Sequence, residues 1–277
     1  MNAPLVSVCV ITYNHEPFIR NCLDGILQQK VNFPIEIIIG EDCSKDGTRS
    51  IIEEYVDKYP DLFVPIFHNK NVGGARNGYE HCFNKIRGKY VAVCEGDDFW
   101  TNADKLQKQV DFLEAHPEFS FCFHRIDAVN EKNEKLEAQD TFDGVKVYSP
   151  EEVIHTFIPT LSVVFKHNFT RIPEEIYSVK SADAFLFAML AKFGPGADLG
   201  FMGASYRKHS GGVFNSLSKY KQLQQAIETR RTMLKSEFFD KRIKNEIKRD
   251  IFTRKKKGFL LLLKEFKLSE IPSLLTL

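Results

Sequence analysis

Four times in roughly its first hundred residues, this chain runs from a block of apolar residues into a polar loop. Leu5 to Thr12 is unbroken and rich in Val and Ile, the pattern of a strand buried on both faces. The loop Tyr13-Asn14-His15-Glu16 follows, and Pro17 sits where a first helical turn accepts proline. Phe18, Cys22, Ile26 and Gln29 then recur at helical spacing. Ile35 to Gly40 repeats the strand pattern, and Asp46 is placed to cap a helix from Thr48 to Tyr59. Leu62 to Phe67 is a third strand, followed by a loop from Asn69 to Arg76 and a helix expected to run through Ile86. The fourth strand, Tyr90 to Cys94, ends in Glu95-Gly96-Asp97-Asp98. This alternation predicts an open α/β fold with a mostly parallel sheet and right-handed crossovers. Ligands of such sheets bind beyond the carboxyl ends of the strands, so the loops 12–17, 41–48, 68–77 and 95–101 are expected to converge.

The second half is less regular. Leu106 to Glu114 reads as a helix, Phe119 to Arg125 and Thr160 to Lys166 as strands, and Asn130 to Asp143 as a hairpin or mobile loop. Asp183 to Phe193 reads as a helix closed by Gly194 and Pro195, and Ser218 to about Phe239 as another. Gly211-Gly212 precedes a charge-rich stretch, which predicts a boundary near 215: 1–215 as one domain (1–115 and 116–215 its halves) and 216–277 as a basic helical segment. With 277 residues and 43% hydrophobic content the chain can build a sizeable core. Lys and Arg number 38 against 37 Asp and Glu, which gives no general attraction to nucleic acid. The six cysteines show no CxxC spacing and are expected to be reduced, mostly buried residues. No basic signal-peptide region opens the chain and no apolar run approaches a membrane span, so a cytoplasmic protein is expected.

Glu95, Asp97 and Asp98 place three carboxylates in four positions at a strand end. Such a group repels itself unless a hard cation sits among the oxygens; Mg2+ or Mn2+ bridging a diphosphate is one reading, a solvated acidic turn the other. Asp42 is able to accept from a base or ribose, or to serve plain turn chemistry. Tyr13 offers a stacking face or strand-end packing, and Arg76 a phosphate clamp or a surface charge.

Together Leu5 to Asn14, Glu41-Asp42-Cys43-Ser44-Lys45-Asp46-Gly47-Thr48, Asn71 to Gly78 and Glu95 to Asp98 resemble, in order and spacing, the family 2 glycosyltransferases, which have the GT-A fold. The likeness is strong from residue 5 to about 125 and weaker to about 212; Trp100 and Lys105 to Leu113 resemble bacterial members that build surface polysaccharides such as capsule or lipopolysaccharide. The resemblance implies a hexosyltransferase-like enzyme using a nucleotide-diphosphate sugar, a UDP-sugar, with Mn2+ or Mg2+, and a glycan or lipid-linked acceptor. Thr12, Tyr13, Asn14, Glu16, Asp42, Arg76, Glu95, Gly96 and Asp97 would line the donor site, and Asp97, Asp98 and His209 the metal. Glu95 stands where the family usually has aspartate. Asp183, after Ser181-Ala182, matches the acidic base of an inverting displacement, and is equally placed to cap its helix. Tyr206 to Gly212 resembles the late block that carries His209. The other histidines are expected on the surface or in packing roles.

From Lys241 to Lys257 there are nine basic residues and two acids, with Ile243, Ile247, Ile251 and Phe252 at helical spacing and Phe259 to Leu263 beyond. Residues 241–263 are therefore a basic amphipathic helix, lying either on an anionic inner membrane leaflet or docked on the core. Two alternatives to the transferase are a sugar nucleotidyltransferase, whose glycine-rich first loop is missing from Thr12 to Pro17, and an inactive binding domain of the same fold.

Overall fold

A computed structural model describes residues 3–169, 171–212, 217–264 and 274. β1 (Val6–Thr12) pairs in parallel with β2 (Ile35–Glu41) on one side and with β4 (Tyr90–Glu95) on the other, and β3 (Phe63–Phe67) extends the β2 edge. Their continuous apolar runs follow from burial on both faces. Val8, Val10, Ile37 and Ile39 pack with α1 (Ile19–Leu27) and with Ile52 of α2 (Thr48–Lys58). Cys9, Ile38, Val91 and Val93 meet Tyr79, Phe83 and α5 (Ala182–Ala191) on the opposite face, after α3 (Lys105–Ala115) and α4 (Pro150–His155) in the chain. Full burial of each such aliphatic side chain contributes roughly 1.5–3 kcal/mol.

Beyond β4 the sheet becomes mixed. β5 (Phe99–Trp100), β6 (Phe121–Asn130), β7 (Lys135–Ala138), β8 (Lys146–Tyr148), β9 (Val164–Lys166) and β10 (Gly196–Lys208) complete it, in the order β3-β2-β1-β4-β9-β6-β10-β5, with β7 on β6 and β8 on β10. β9 runs antiparallel to β4 and β6, β10 is parallel to β6, and β5 is antiparallel to β10. The polar stretch expected as a hairpin or loop is the β6–β7 hairpin. The strand expected from Thr160 is shorter, because Thr160–Ser162 forms a 3-10 turn before β9.

The helix expected to run to Ile86 is a π-helix over Arg76–Cys82 followed by a 3-10 turn. The buried Asn77 amide donates to the Gly40 carbonyl at 2.7 Å, and Phe83 N–H reaches back five residues to Gly78. Binding Asn77 to the end of β2 thus coincides with one extra residue in the turn.

α6 (Lys219–Lys235) and α7 (Lys241–Lys264) form a helical pair; α7 also packs on α4, and α6 on α5. Asp250 of α7 accepts from Arg230 Nε at 2.5 Å and Arg254 Nε at 2.6 Å, and His155 of α4 lies 3.3 Å from both Asp250 and Glu246. The boundary expected near 215 lies outside the described residues.

Lys105 is fully buried, its ammonium 4.0 Å from the centre of the Trp100 ring, with no hydrogen-bond partner. Burial lowers its pKa to about 7. Its folded pKa thus lies below the unfolded one, so folding releases a proton between pH 7 and pH 10, and stability rises with pH across that window by at most about 1.4 kcal/mol per unit. Lys105→Met is expected to remove that slope and to raise stability at neutral pH by about 1–4 kcal/mol, read from denaturant midpoints at neutral and alkaline pH.

Candidate functional site

β1 is flanked by β2 and β4, whose connections leave it in opposite directions, so a crevice opens at the carboxyl end of β1. The four polar loops meet there and are joined by hydrogen bonds. Asn14, in the left-handed region at φ 54°, receives Lys45 N–H on Oδ1 at 2.8 Å, while its own N–H donates to Ser44 Oγ at 2.9 Å. His15 N–H donates to Thr48 Oγ1 at 2.8 Å, and Gly47 N–H to Glu16 Oε2 at 2.8 Å. Asp42 joins the second and third loops: its two oxygens accept from Val72 N–H at 2.7 Å and Gly73 N–H at 2.9 Å. Gly96 N–H reaches Ile11 O at 2.9 Å, and a Cβ on Gly96 would stand 2.7 Å from Thr12 Oγ1 and 3.0 Å from His15 Nδ1, so only glycine lets the acidic loop lie this close to β1.

At the centre stands Asp97. Its Oδ2 is 3.0 Å from His209 Nε2 and 3.7 Å from His15 Nε2, so two imidazoles from opposite ends of the chain address one carboxylate oxygen. Burial opposes ionisation of Asp97, but the His209 hydrogen bond and the nearby His15 hold its carboxyl below the ordinary value. Burial also pushes the His15 pKa down. The buried His15 Nδ1, Thr12 Oγ1 and Glu95 Oε2 have no partner in the structure. They are buried polar atoms with hydrogen-bonding capacity to spare.

Glu95 is raised to about 8 by burial, then by the charges of Asp97 and Asp183. Tyr79 lies within the field of Glu95 and Asp183. Glu95 therefore lies between Asp97 at the end of β4 and Asp183 in the first turn of α5. Asp183 opens α5; burial raises its pKa, while Ala184 N–H and Arg230 of α6 work in the opposite direction.

Asp98 is turned inward: it is buried, and its Oδ1 accepts from Arg207 N–H at 2.8 Å, bracing β10 rather than joining Asp97 and His209. Arg76 is exposed, bonded to Glu80 Oε2 at 2.6 Å and lying over the Tyr177 ring. Tyr13 is partly exposed at the end of β1. Among the described residues, no three His, Cys, Asp or Glu side chains are grouped to hold an ion.

His15 and Arg207 were not among the residues singled out from the sequence. His15 adjoins Asn14 in a loop already expected at the rim, and that placement was the available signal. Arg207 is buried and stacked at 4.7 Å on Phe18 and 5.1 Å on Phe99. It donates to Asp97 O at 2.8 Å and Asn133 Oδ1 at 2.6 Å, and so holds the acidic loop from behind. No local motif marks these long-range contacts.

The comparisons agree with this geometry. Residues 7–172 match the family described as Glycosyl transferase family 2, and the chain belongs to that family. An uncharacterized protein of Mycobacterium tuberculosis is 37% identical over 214 residues, covering 76% of this chain and 61% of the relative. The chain therefore spans about three fifths of the length of that relative. The putative teichuronic acid biosynthesis glycosyltransferase TuaG of Bacillus subtilis is 37% identical over 126 residues, 44% of this chain and 48% of TuaG. In three dimensions, S. aureus TarS 1–349 in complex with UDP-GlcNAc matches with TM-score 0.71 at 22% identity, over 98% of this chain and 78% of that one. The mannosyltransferase PcManGT from Pyrobaculum calidifontis, in complex with GDP-Man and Mn2+, matches with TM-score 0.60 at 16% identity, over 100% and 75%. At these identities the likeness establishes the shared GT-A fold.

Arg207→Lys keeps the charge but loses the planar fork that serves Asp97 O and Asn133 together. It is expected to cost about 2 kcal/mol of stability, measured by denaturant unfolding.

Proposed function

We propose that this chain is an inverting glycosyltransferase that moves a sugar from a UDP-sugar to a hydroxyl of a glycan or lipid-linked acceptor in surface polysaccharide assembly. The observation that carries the reading is the hydrogen-bonded rim around Asp97, which His15 and His209 address, with Glu95 within the charge field of both Asp97 and Asp183. Supporting it are family membership and GT-A neighbours in complex with UDP-GlcNAc and with GDP-Man. In this reading 1–115 binds the donor, 116–215 the acceptor, and 216–277 is a helical appendage.

Tyr13 stacks on the base, and Thr12, Asn14 and Asp42 shape its pocket, with Glu16 keeping the loops in register. The donor set fits a divalent ion: Asp97 offers a carboxylate oxygen and His209 an imidazole nitrogen, and diphosphate oxygens supply the remaining positions. Because one donor is an imidazole, Mn2+ fits better than Mg2+, which prefers an all-oxygen shell. Bound there, the ion would offset negative charge on the diphosphate. Arg76 swings from Glu80 to the same phosphates.

The chemistry is a single displacement. Asp183 accepts the proton of the acceptor hydroxyl as its oxygen forms the bond to the anomeric carbon. The bond from that carbon to the diphosphate breaks on the opposite face, and the electron pair leaves with the phosphate oxygen. Glu95 hydrogen-bonds donor or acceptor hydroxyls between the two halves. The proposed setting is the cytoplasmic face of a membrane; no helix among the described residues is long and apolar enough to cross one.

Asp97→Asn is expected to lower manganese-stimulated donor hydrolysis at least about a hundredfold, measured as released UDP; unchanged activity would remove Asp97 from the metal site. Asp183→Asn is expected to retain donor affinity and lose transfer. Asp183 must be ionised to act, and burial raises its pKa, so kcat falls as pH drops through a value above that of an ordinary aspartate. Arg230→Met, which removes an opposing positive charge, is expected to move that acid limb to still higher pH.

A further inference from the structure

α7 turns its two acids inward. Glu246 and Asp250 are buried, held by His155, and Asp250 also by Arg230 and Arg254. Ile243, Ile247 and Leu262 share that buried side. At about 100° per residue, Lys248, Phe252, Lys256, Phe259, Leu260 and Leu263 fall on the opposite arc of the helix. Nothing acidic lies on that arc. Phe252 is 72% exposed, Leu260 56%, Leu263 40% and Phe259 38%, while Lys248 and Lys256 are also exposed. Four large apolar side chains thus face water within twelve residues of one helix, interleaved with ammonium groups.

We propose that this outward face of α7 is a docking surface for an anionic lipid bilayer. Its chemistry suits that occupant: phosphate headgroups attract the ammonium groups, and Phe252, Phe259, Leu260 and Leu263 enter the boundary between headgroups and acyl chains. A second copy of the chain fits poorly, because a two-fold contact would set the lysines of this face, which has no acid to pair with them, against themselves. The lysine at 248 lies toward the start of the helix and the apolar residues cluster toward its end, so the C-terminal half sits deeper. α7 rests on α6, and α6 on α5, whose first turn carries Asp183. Docking would therefore hold the acceptor-side half of the molecule near the bilayer, where a lipid-anchored acceptor lies.

The test uses the full-length protein without sugar nucleotide, floated on gradients with vesicles of phosphatidylcholine alone or mixed with phosphatidylglycerol. The expected result is at least tenfold greater partition onto the anionic vesicles, falling as salt is raised. Phe252→Ser with Leu260→Ser, and separately Lys248→Glu with Lys256→Glu, should each reduce partition about tenfold while melting as the wild type does, since all four side chains are exposed. Equal partition onto both vesicle types, or wild-type flotation of both double variants, overturns the proposal. So does a dimer without vesicles that the Phe252/Leu260 variant converts to monomer, because a second copy would then cover the face. Asp97→Asn should float normally, so failure of the transfer reading and failure of membrane docking give different results.

Discussion

The pairing of β1 with parallel neighbours on both sides governs what the rest of the molecule is able to do. A parallel pair cannot be closed by a tight turn, so each return crosses a face of the sheet and begins from the same carboxyl edge. That geometry brings residues 12–17, 41–48, 68–77 and 95–98 together although nearly ninety positions separate the first from the last. Hydrogen bonds such as Asn14 to Lys45 and Asp42 to Gly73 then convert proximity into a fixed rim. The second half adds strands of both directions to the β4 side and delivers His209 at the end of β10 and Asp183 at the start of α5.

Charge in this rim is handled by environment. Asp97, beside two imidazoles, remains a carboxylate; Glu95, two residues away and beside two acids, takes up a proton near neutral pH. Asp98 is occupied with a backbone N–H. Three adjacent acids therefore have three different tasks, which lessens their mutual repulsion without requiring an ion among all three. Arg207 neutralises the loop from behind, sandwiched by Phe18 and Phe99, while Lys105, buried against the Trp100 ring, has its pKa lowered by burial instead.

The first four strands were legible because a strand buried on both faces has one pattern, a short run of Val and Ile bounded by polar turns. The converging loops followed from the rule for parallel sheets, and Asp97 with His209 from the ordered motifs. Contacts without a local signature were not legible. The pairing of His15 with Asp97 joins residues 15 and 97, and the inward turn of Asp98 depends on β10 lying alongside β5 and β6. The late start of β9 within the strand expected from Thr160 also escaped the apolar pattern, because Leu161 and Val163 are buried whether or not they belong to a strand. The C-terminal helix packs on α4 and α6 with one side and presents the other outward.

The π-helix at Arg76–Cys82 carries one residue more than an α-helix of the same reach. Deleting a single residue there would restore regular winding and turn everything upstream by about 100°. Arg76 would leave its place above Tyr177, while the Asn77 anchor to Gly40 would be pulled out of the sheet edge. The length of this segment therefore fixes the direction in which Arg76 leaves the helix.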